Sequence, residues 1–119
     1  MTASTDVVER FASALAGGDF GAARSLLADD LHFLGPIDEF HRADDYVGSL
    51  RQLFSMVRGV EDQATVAQDA EVVRFYVLDT PVARAPVAEW YTVKDGKIAS
   101  IQAFFDARPF AAMFEQQGA

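Results

Sequence analysis

A chain of 119 residues is one domain, and with 50% hydrophobic residues it can bury a sizeable core. Its formal net charge of −8 argues against nucleic acid or an anionic membrane as partner. The absence of cysteine excludes disulfides and thiolate chemistry, and two histidines argue against a histidine-rich metal site. No apolar run approaches the roughly 18 residues needed to span a bilayer. The opening MTASTDVVER lacks the basic and apolar regions of a signal peptide, so a cytoplasmic protein is expected.

Asp6 followed by Glu9 reads as a capping box, and Val8, Phe11 and Leu15 recur at helical spacing. Gly17-Gly18 ends this helix. Asp19 caps a short second helix that buries Ala23, Leu26 and Leu27 and closes at Asp29-Asp30. Leu31 to Leu34 is a short strand, which Gly35-Pro36 breaks. Ile37 to Ala43 is irregular. Asp44 or Asp45 opens a third helix with the apolar stripe Tyr46, Leu50, Leu53, Phe54 and Val57, and Gly59 stops it.

The remainder reads as sheet. Ala64 to Gln68 is a weak strand, Asp69-Ala70 a turn, and Glu71 to Leu78 a strong strand. Asp79-Thr80-Pro81 turns again, and Pro86 marks an edge or irregularity. The stretch from Pro86 to Arg108 is a long hairpin around Asp95-Gly96. A two-residue loop would oppose Lys94 to Lys97 and leave Glu89 on a solvated face. A three-residue loop with a bulge would set Glu89 opposite Ile101, with Val87, Tyr91, Ala99, Ala103 and Phe105. The second is expected, because it yields one apolar face and separates the lysines. After Pro109 a short helix would hold Phe110, Met113 and Phe114. Three helices before an antiparallel meander make an α+β pattern. The outer sheet face would then carry Trp90, Phe104 and Ile98, so a homodimer through that face is expected.

Three segments carry a family likeness: GDFGAARSLLADDLHFLGP, the helix opening ADDY, and AEWYTVKDGKIASIQAFFD. With them the chain resembles the nuclear transport factor 2-like superfamily, in its SnoaL-like and ketosteroid-isomerase-like branch. The likeness spans residues 1–119 as a single domain. It implies a cone-like fold of three N-terminal helices on a curved, mainly antiparallel sheet that encloses an apolar pocket. It also implies, as a class, cofactor-free isomerase, cyclase, dehydratase or epoxide-hydrolase chemistry on a hydrophobic small molecule. The oxyanion-hole tyrosine of ketosteroid isomerases falls on Phe11. Their aspartate base falls near Gly35, three residues before Asp38, and their protonated aspartate falls on Glu89. This pattern argues against ketosteroid isomerisation itself and keeps a carboxyl at Glu89. A pocket-lining position near the chain end falls on Phe105.

Glu89 is the leading catalytic candidate. In an apolar pocket its charged form is desolvated, and a carboxyl held partly neutral can donate or shuttle a proton. The alternative is a solvated strand residue, or a buried acid paired with Arg84 or Arg74. Asp38 is the second catalytic candidate, at the pocket mouth. His41 beside it has an imidazole suited to titrate near neutrality, although solvated loop side chains and capping at the helix entry explain both residues more simply. His32 points away from the pocket. Phe11, Phe33, Tyr46, Phe54, Tyr91, Ile101 and Phe105 are the ligand-binding candidates, and core packing is their competing explanation. The acids Asp29, Asp30, Asp44 and Asp45 suit helix ends, so no metal and no cofactor is assigned. The competing functions are a non-catalytic ligand-binding module and a structural dimer.

Overall fold

The structure is a computed structural model that describes residues 3–110. Helix α1 (Ala3–Ala16) buries Val7, Val8, Phe11 and Leu15 along one face, as the helical spacing requires. It starts earlier than the capping-box reading placed it. Asp6 therefore lies in the first turn, where its charge faces the positive end of the helix dipole. Gly18 ends the helix in a left-handed conformation, φ 75°. Asp19 caps α2 (Phe20–Ser25) by accepting a hydrogen bond from the Ala22 backbone at 3.0 Å.

Strand β1 (Leu27–Leu34) begins four residues sooner than expected and takes in Asp29 and Asp30. These acids close no helix. Asp29 instead binds Arg24 at 2.7 Å, while Arg24 also binds Asp44 of α3 (Ala43–Phe54) at 2.6 Å. One guanidinium thus ties α2, β1 and α3 together at the surface. The segment read as irregular contains β2 (Glu39–Phe40), paired antiparallel with the end of β1. Helix α3 stops at Phe54, before Val57. Gly59 is already the first residue of β3 (Gly59–Gln68), paired with Asp79.

Strands β4 (Glu71–Asp79), β5 (Arg84–Lys94) and β6 (Lys97–Phe104) complete a six-stranded sheet of order β2-β1-β6-β5-β4-β3. Only the β1–β6 pair is parallel, so the meander closes on the N-terminal strand. Pro86 pairs with Val77 on one side, while β6 ends opposite Ala88, so Pro86 sits where β5 has become an edge. Helix α1 packs across β3 to β6 and α3 against β1 and β2, over a core that includes Val72, Tyr91, Ile98 and Ile101. Fully buried Leu27, Leu31, Ile98 and Ile101 each contribute roughly 1.5–3 kcal/mol through removal from water. Phe110, in a final 3-10 turn, is also buried, whereas Met113 and Phe114 lie outside the described residues. No described helix is long and apolar enough to cross a membrane.

The hairpin departs from expectation in an instructive way. Its loop is the two-residue one: Asp95 and Gly96 have φ of 54° and 75°, and Lys94 does pair with Lys97. Both lysines are exposed, so water screens their repulsion. The bulge lies further along. Val93 pairs with Ile98 but Thr92 with Ser100, which leaves Ala99 as the extra residue. Past it the facing is that of the bulged alternative, but Glu89 opposes Ala103 rather than Ile101. The same bulge turns both Ile98 and Ile101 inward. Ile98 therefore belongs to the core and not to the outer face.

Deleting Ala99 should leave the Val93–Ile98 and Thr92–Ser100 pairings in place as consecutive pairs, with Ile98 and Ile101 still inward, but remove the bulge and the extra twist it gives the sheet. The expected result is a loss of about 1–3 kcal/mol with cooperative unfolding kept. Urea denaturation followed by circular dichroism measures this, and an unchanged midpoint would refute the role of the bulge.

Candidate functional site

The concave face of the sheet and the inner faces of α1 and α3 enclose a cavity of about 1230 Å³. Strand alternation decides what enters it. On β4 the inward residues are Val72, Arg74, Tyr76 and Leu78; on β5 they are Val87, Glu89 and Tyr91. The register sets Arg74 directly opposite Glu89, with Tyr76 and Tyr91 on the diagonals. On β3 a bulge at Gln63 lets both Asp62 and Thr65 face the cavity.

These side chains form one polar chain on an otherwise apolar floor. Glu89 is 9% exposed. Its Oε1 accepts from the Tyr76 hydroxyl at 2.7 Å and the Tyr91 hydroxyl at 2.8 Å. Arg74 donates to the Tyr91 oxygen at 3.4 Å and to Asp62, and its guanidinium lies 4.8 Å over the Tyr76 ring. Burial works against the Arg74 charge, but Tyr91, Asp62 and Glu89 outweigh it and hold the guanidinium above its ordinary pKa. Burial, and after it the Glu89 charge, pushes the Tyr46, Tyr76 and Tyr91 hydroxyls well above the usual phenol range. All three therefore remain protonated donors.

Glu89 Oε2 and the Tyr46 hydroxyl make no hydrogen bond among the described residues, in side chains that line the cavity. Among the described residues no fully buried side-chain nitrogen or oxygen goes unpaired, so both atoms are reachable from the cavity. Tyr46 is held by its ring, stacked on Phe33 with centroids 4.5 Å apart, and by Phe40 at 6.1 Å.

Asp38 also lines the cavity, half-buried at the turn between β1 and β2. The Gly35 backbone donates to the Asp38 carbonyl at 2.9 Å and closes that turn. A Cβ at Gly35 would come within 3.0 Å of the Phe33 ring and 3.6 Å of Asp38 Oδ1. Glycine keeps the ring in place, and Asp38 brings a carboxylate to the space beside position 35. Burial raises the Asp38 pKa, partly offset by a hydrogen bond from its own backbone.

Of the ligand-binding candidates, Phe33, Tyr46, Phe54 and Phe105 line the cavity. Phe11, Tyr91 and Ile101 lie behind them in the core; the Phe11 ring meets Tyr91 edge-on at 6.4 Å. Tyr91 reaches the site only through its hydroxyl. Tyr76 and Asp62 escaped the sequence reading, and Arg74 entered it only as a possible ion-pair partner. The β4 alternation Arg74, Tyr76, Leu78 was a signal that the β4–β5 register would have made usable. Arg84, the other proposed partner of Glu89, pairs instead with Glu61 at 2.8 Å on the surface.

The sequence model of the SnoaL-like domain matches residues 8–101. No curated protein matches the chain significantly. Among solved structures, a protein from Kribbella flavida DSM 17836 is 25% identical with TM-score 0.88, covering 99% of this chain and 98% of that one. An LEH-like epoxide hydrolase of M. tuberculosis is 23% identical with TM-score 0.73, over 96% of each chain. A steroid delta-isomerase of Pseudomonas aeruginosa is 14% identical with TM-score 0.81, over 99% of this chain and 90% of that one. The last two likenesses concern the fold alone.

A group whose pKa is raised by folding contributes stability below its unfolded pKa and loses it as pH rises through the folded one. For Asp38 this means that its charged form opposes folding at neutral pH. Asp38→Asn should therefore raise the unfolding midpoint at pH 7, and the gain should vanish below about pH 4. Thermal unfolding of both proteins across that range is the measurement.

Proposed function

The chain belongs to the SnoaL-like domain family, and we propose that it is a cofactor-independent enzyme moving protons on a neutral, hydrophobic small molecule. The observation that carries this reading is the asymmetry of Glu89: two tyrosines occupy Oε1, and Oε2 is left without a protein partner. An isolated carboxyl would suit a mere anchor. A carboxyl fixed by two donors, with one free oxygen beside an apolar cavity, suits a general base.

In this mechanism Oε2 removes a proton from an activated C–H, or from a water that attacks the substrate. Tyr76 and Tyr91 hold the carboxylate in place throughout. The free Tyr46 hydroxyl donates to the substrate oxygen on which negative charge develops. Asp38, a carboxylate at the mouth of the cavity, takes the abstracted proton from Glu89 through water and delivers it to the substrate, so that both carboxylates end as they began. The aromatic rings of Phe33, Phe54 and Phe105 hold the apolar body and exclude water.

The charge of the cavity narrows the substrate. Glu9, Asp38, Asp62 and Glu89 line it against Arg74, which Asp62 already neutralises. An anionic ligand would meet net repulsion, so a neutral ketone, lactone or epoxide fits best. Isomerisation, cyclisation, dehydration and epoxide opening all fit this geometry, and the family resemblance supports the same set.

A thermal-shift screen with neutral apolar ketones, lactones and epoxides, set against their carboxylate analogues, should yield hits in the neutral set only. On a turned-over hit, Glu89→Gln should lower kcat by ~10²–10⁴-fold while the fold is kept. Undiminished turnover in that variant would overturn the assignment.

The active unit in this proposal is a homodimer formed through the outer sheet face. Phe75, Ala88 and Phe104 lie in one cross-strand row there, with Trp90 and Val66 beside them. Phe104 is 49% and Trp90 43% exposed. Such a contiguous apolar strip favours a second apolar surface over water. Trp90→Glu should shift size-exclusion elution from dimer to monomer, and an unchanged profile would place the interface elsewhere.

A further inference from the structure

The ribbon formed by β1 and β2 carries a second cluster, on the side away from the cavity. The register pairs Phe33 with Phe40 and Leu34 with Glu39. Extended by one step, it sets His32 across from His41. Alternation then divides the ribbon cleanly. Phe33 and Phe40 face inward against Tyr46, while His32, Glu39 and His41 share the outer face.

The three outer side chains converge. His32 Nε2 lies 2.6 Å from Glu39 Oε2, and His41 Nε2 lies 3.6 Å from the same oxygen. The two imidazoles stack with centroids 5.0 Å apart and planes inclined by 15°, so their Nε2 atoms sit on one side of the ribbon. The three donor atoms all lie within 4.8 Å of one another. Donors about 2.0–2.1 Å from a tetrahedral zinc stand roughly 3.4 Å apart. Closure therefore needs only a small rotation, and His41, with 73% of its side chain exposed, is free to make it. The backbone beneath is held by the Gly35–Asp38 turn bond and by the packed Phe33, Phe40 and Tyr46 rings.

We propose that His32, Glu39 and His41 form a binding site for a borderline divalent transition ion such as Zn²⁺ or Ni²⁺, at the edge of the sheet and separate from the Glu89 cavity. Two imidazoles and one carboxylate suit such an ion and suit Mg²⁺ or Ca²⁺ poorly, since those select all-oxygen shells. The exposed side of the cluster leaves room for water as a further ligand. Binding would displace any proton held between His32 and Glu39. It would also clamp β1 to β2 next to the turn that carries Asp38. This proposal goes against the sequence reading, which assigned no metal, and it does not depend on the reaction at Glu89.

The test uses the full chain with any affinity tag removed. Isothermal titration with ZnCl₂ or NiCl₂ should show saturable one-to-one binding, and MgCl₂ at equal concentration should show none. Zinc at about 100 times its Kd should raise the unfolding midpoint by several degrees. His41→Ala, an exposed change that leaves the fold intact, should weaken zinc binding by about tenfold or more, and His32→Ala with His41→Ala should abolish it. Glu89→Gln should bind zinc like the parent, which separates this site from the proposed reaction centre. The proposal fails if submillimolar zinc gives no saturable binding, if magnesium binds equally well, or if the double variant keeps the parent affinity.

Discussion

The polar row on the cavity floor depends on one cross-strand pairing, Arg74 against Glu89. It brings a cation and an acid onto the floor of a cavity without joining them directly. Tyr91 stands between them, donating to Glu89 and accepting from Arg74. Asp62, from the next strand, shares the arginine charge. A buried charge is costly when left unpaired. Each charge in this row meets a donor or acceptor of its neighbour, and one oxygen is left unused.

The two bulges make that row possible. At Gln63 the extra residue turns Asp62 toward Arg74 while Val66, further along, faces out. At Ala99 the extra residue brings Ile98 and Ile101 to the same side and sets small Ala103 opposite Glu89. Ala103 leaves space beside the carboxyl that a larger side chain would fill. A bulge also increases local twist, and both lie in the sheet whose concave face forms the cavity floor. The curvature and the polar row thus share a structural cause.

The β2 edge of the sheet repeats this division of labour on a smaller scale. The β1–β2 ribbon turns Phe33 and Phe40 into the cavity wall and His32, Glu39 and His41 onto the opposite surface. Asp38, in the turn between the strands, belongs to the cavity. A constraint on the ribbon would therefore reach the cavity mouth through a handful of residues.

By itself the sequence determined the helical stripes, the Asp19 cap, the Asp69 and Asp95-Gly96 turns and the α+β class. These are local or periodic signals, carried by residues within a few positions of one another. The inward orientation of Glu89, expected from a three-residue loop, comes instead from the bulge at Ala99. Tertiary structure alone decided the partners. The hydrogen bonds of Glu89 come from Tyr76 and Tyr91, and its cross-strand neighbour is Arg74, thirteen to fifteen positions away from the carboxyl for the β4 members. Pairing at such separation depends on register, and register here shifts at bulges that no residue type announces: Gln63 and Ala99 resemble any other strand positions. The same holds for the histidines, which read as unrelated until a two-residue strand set them face to face.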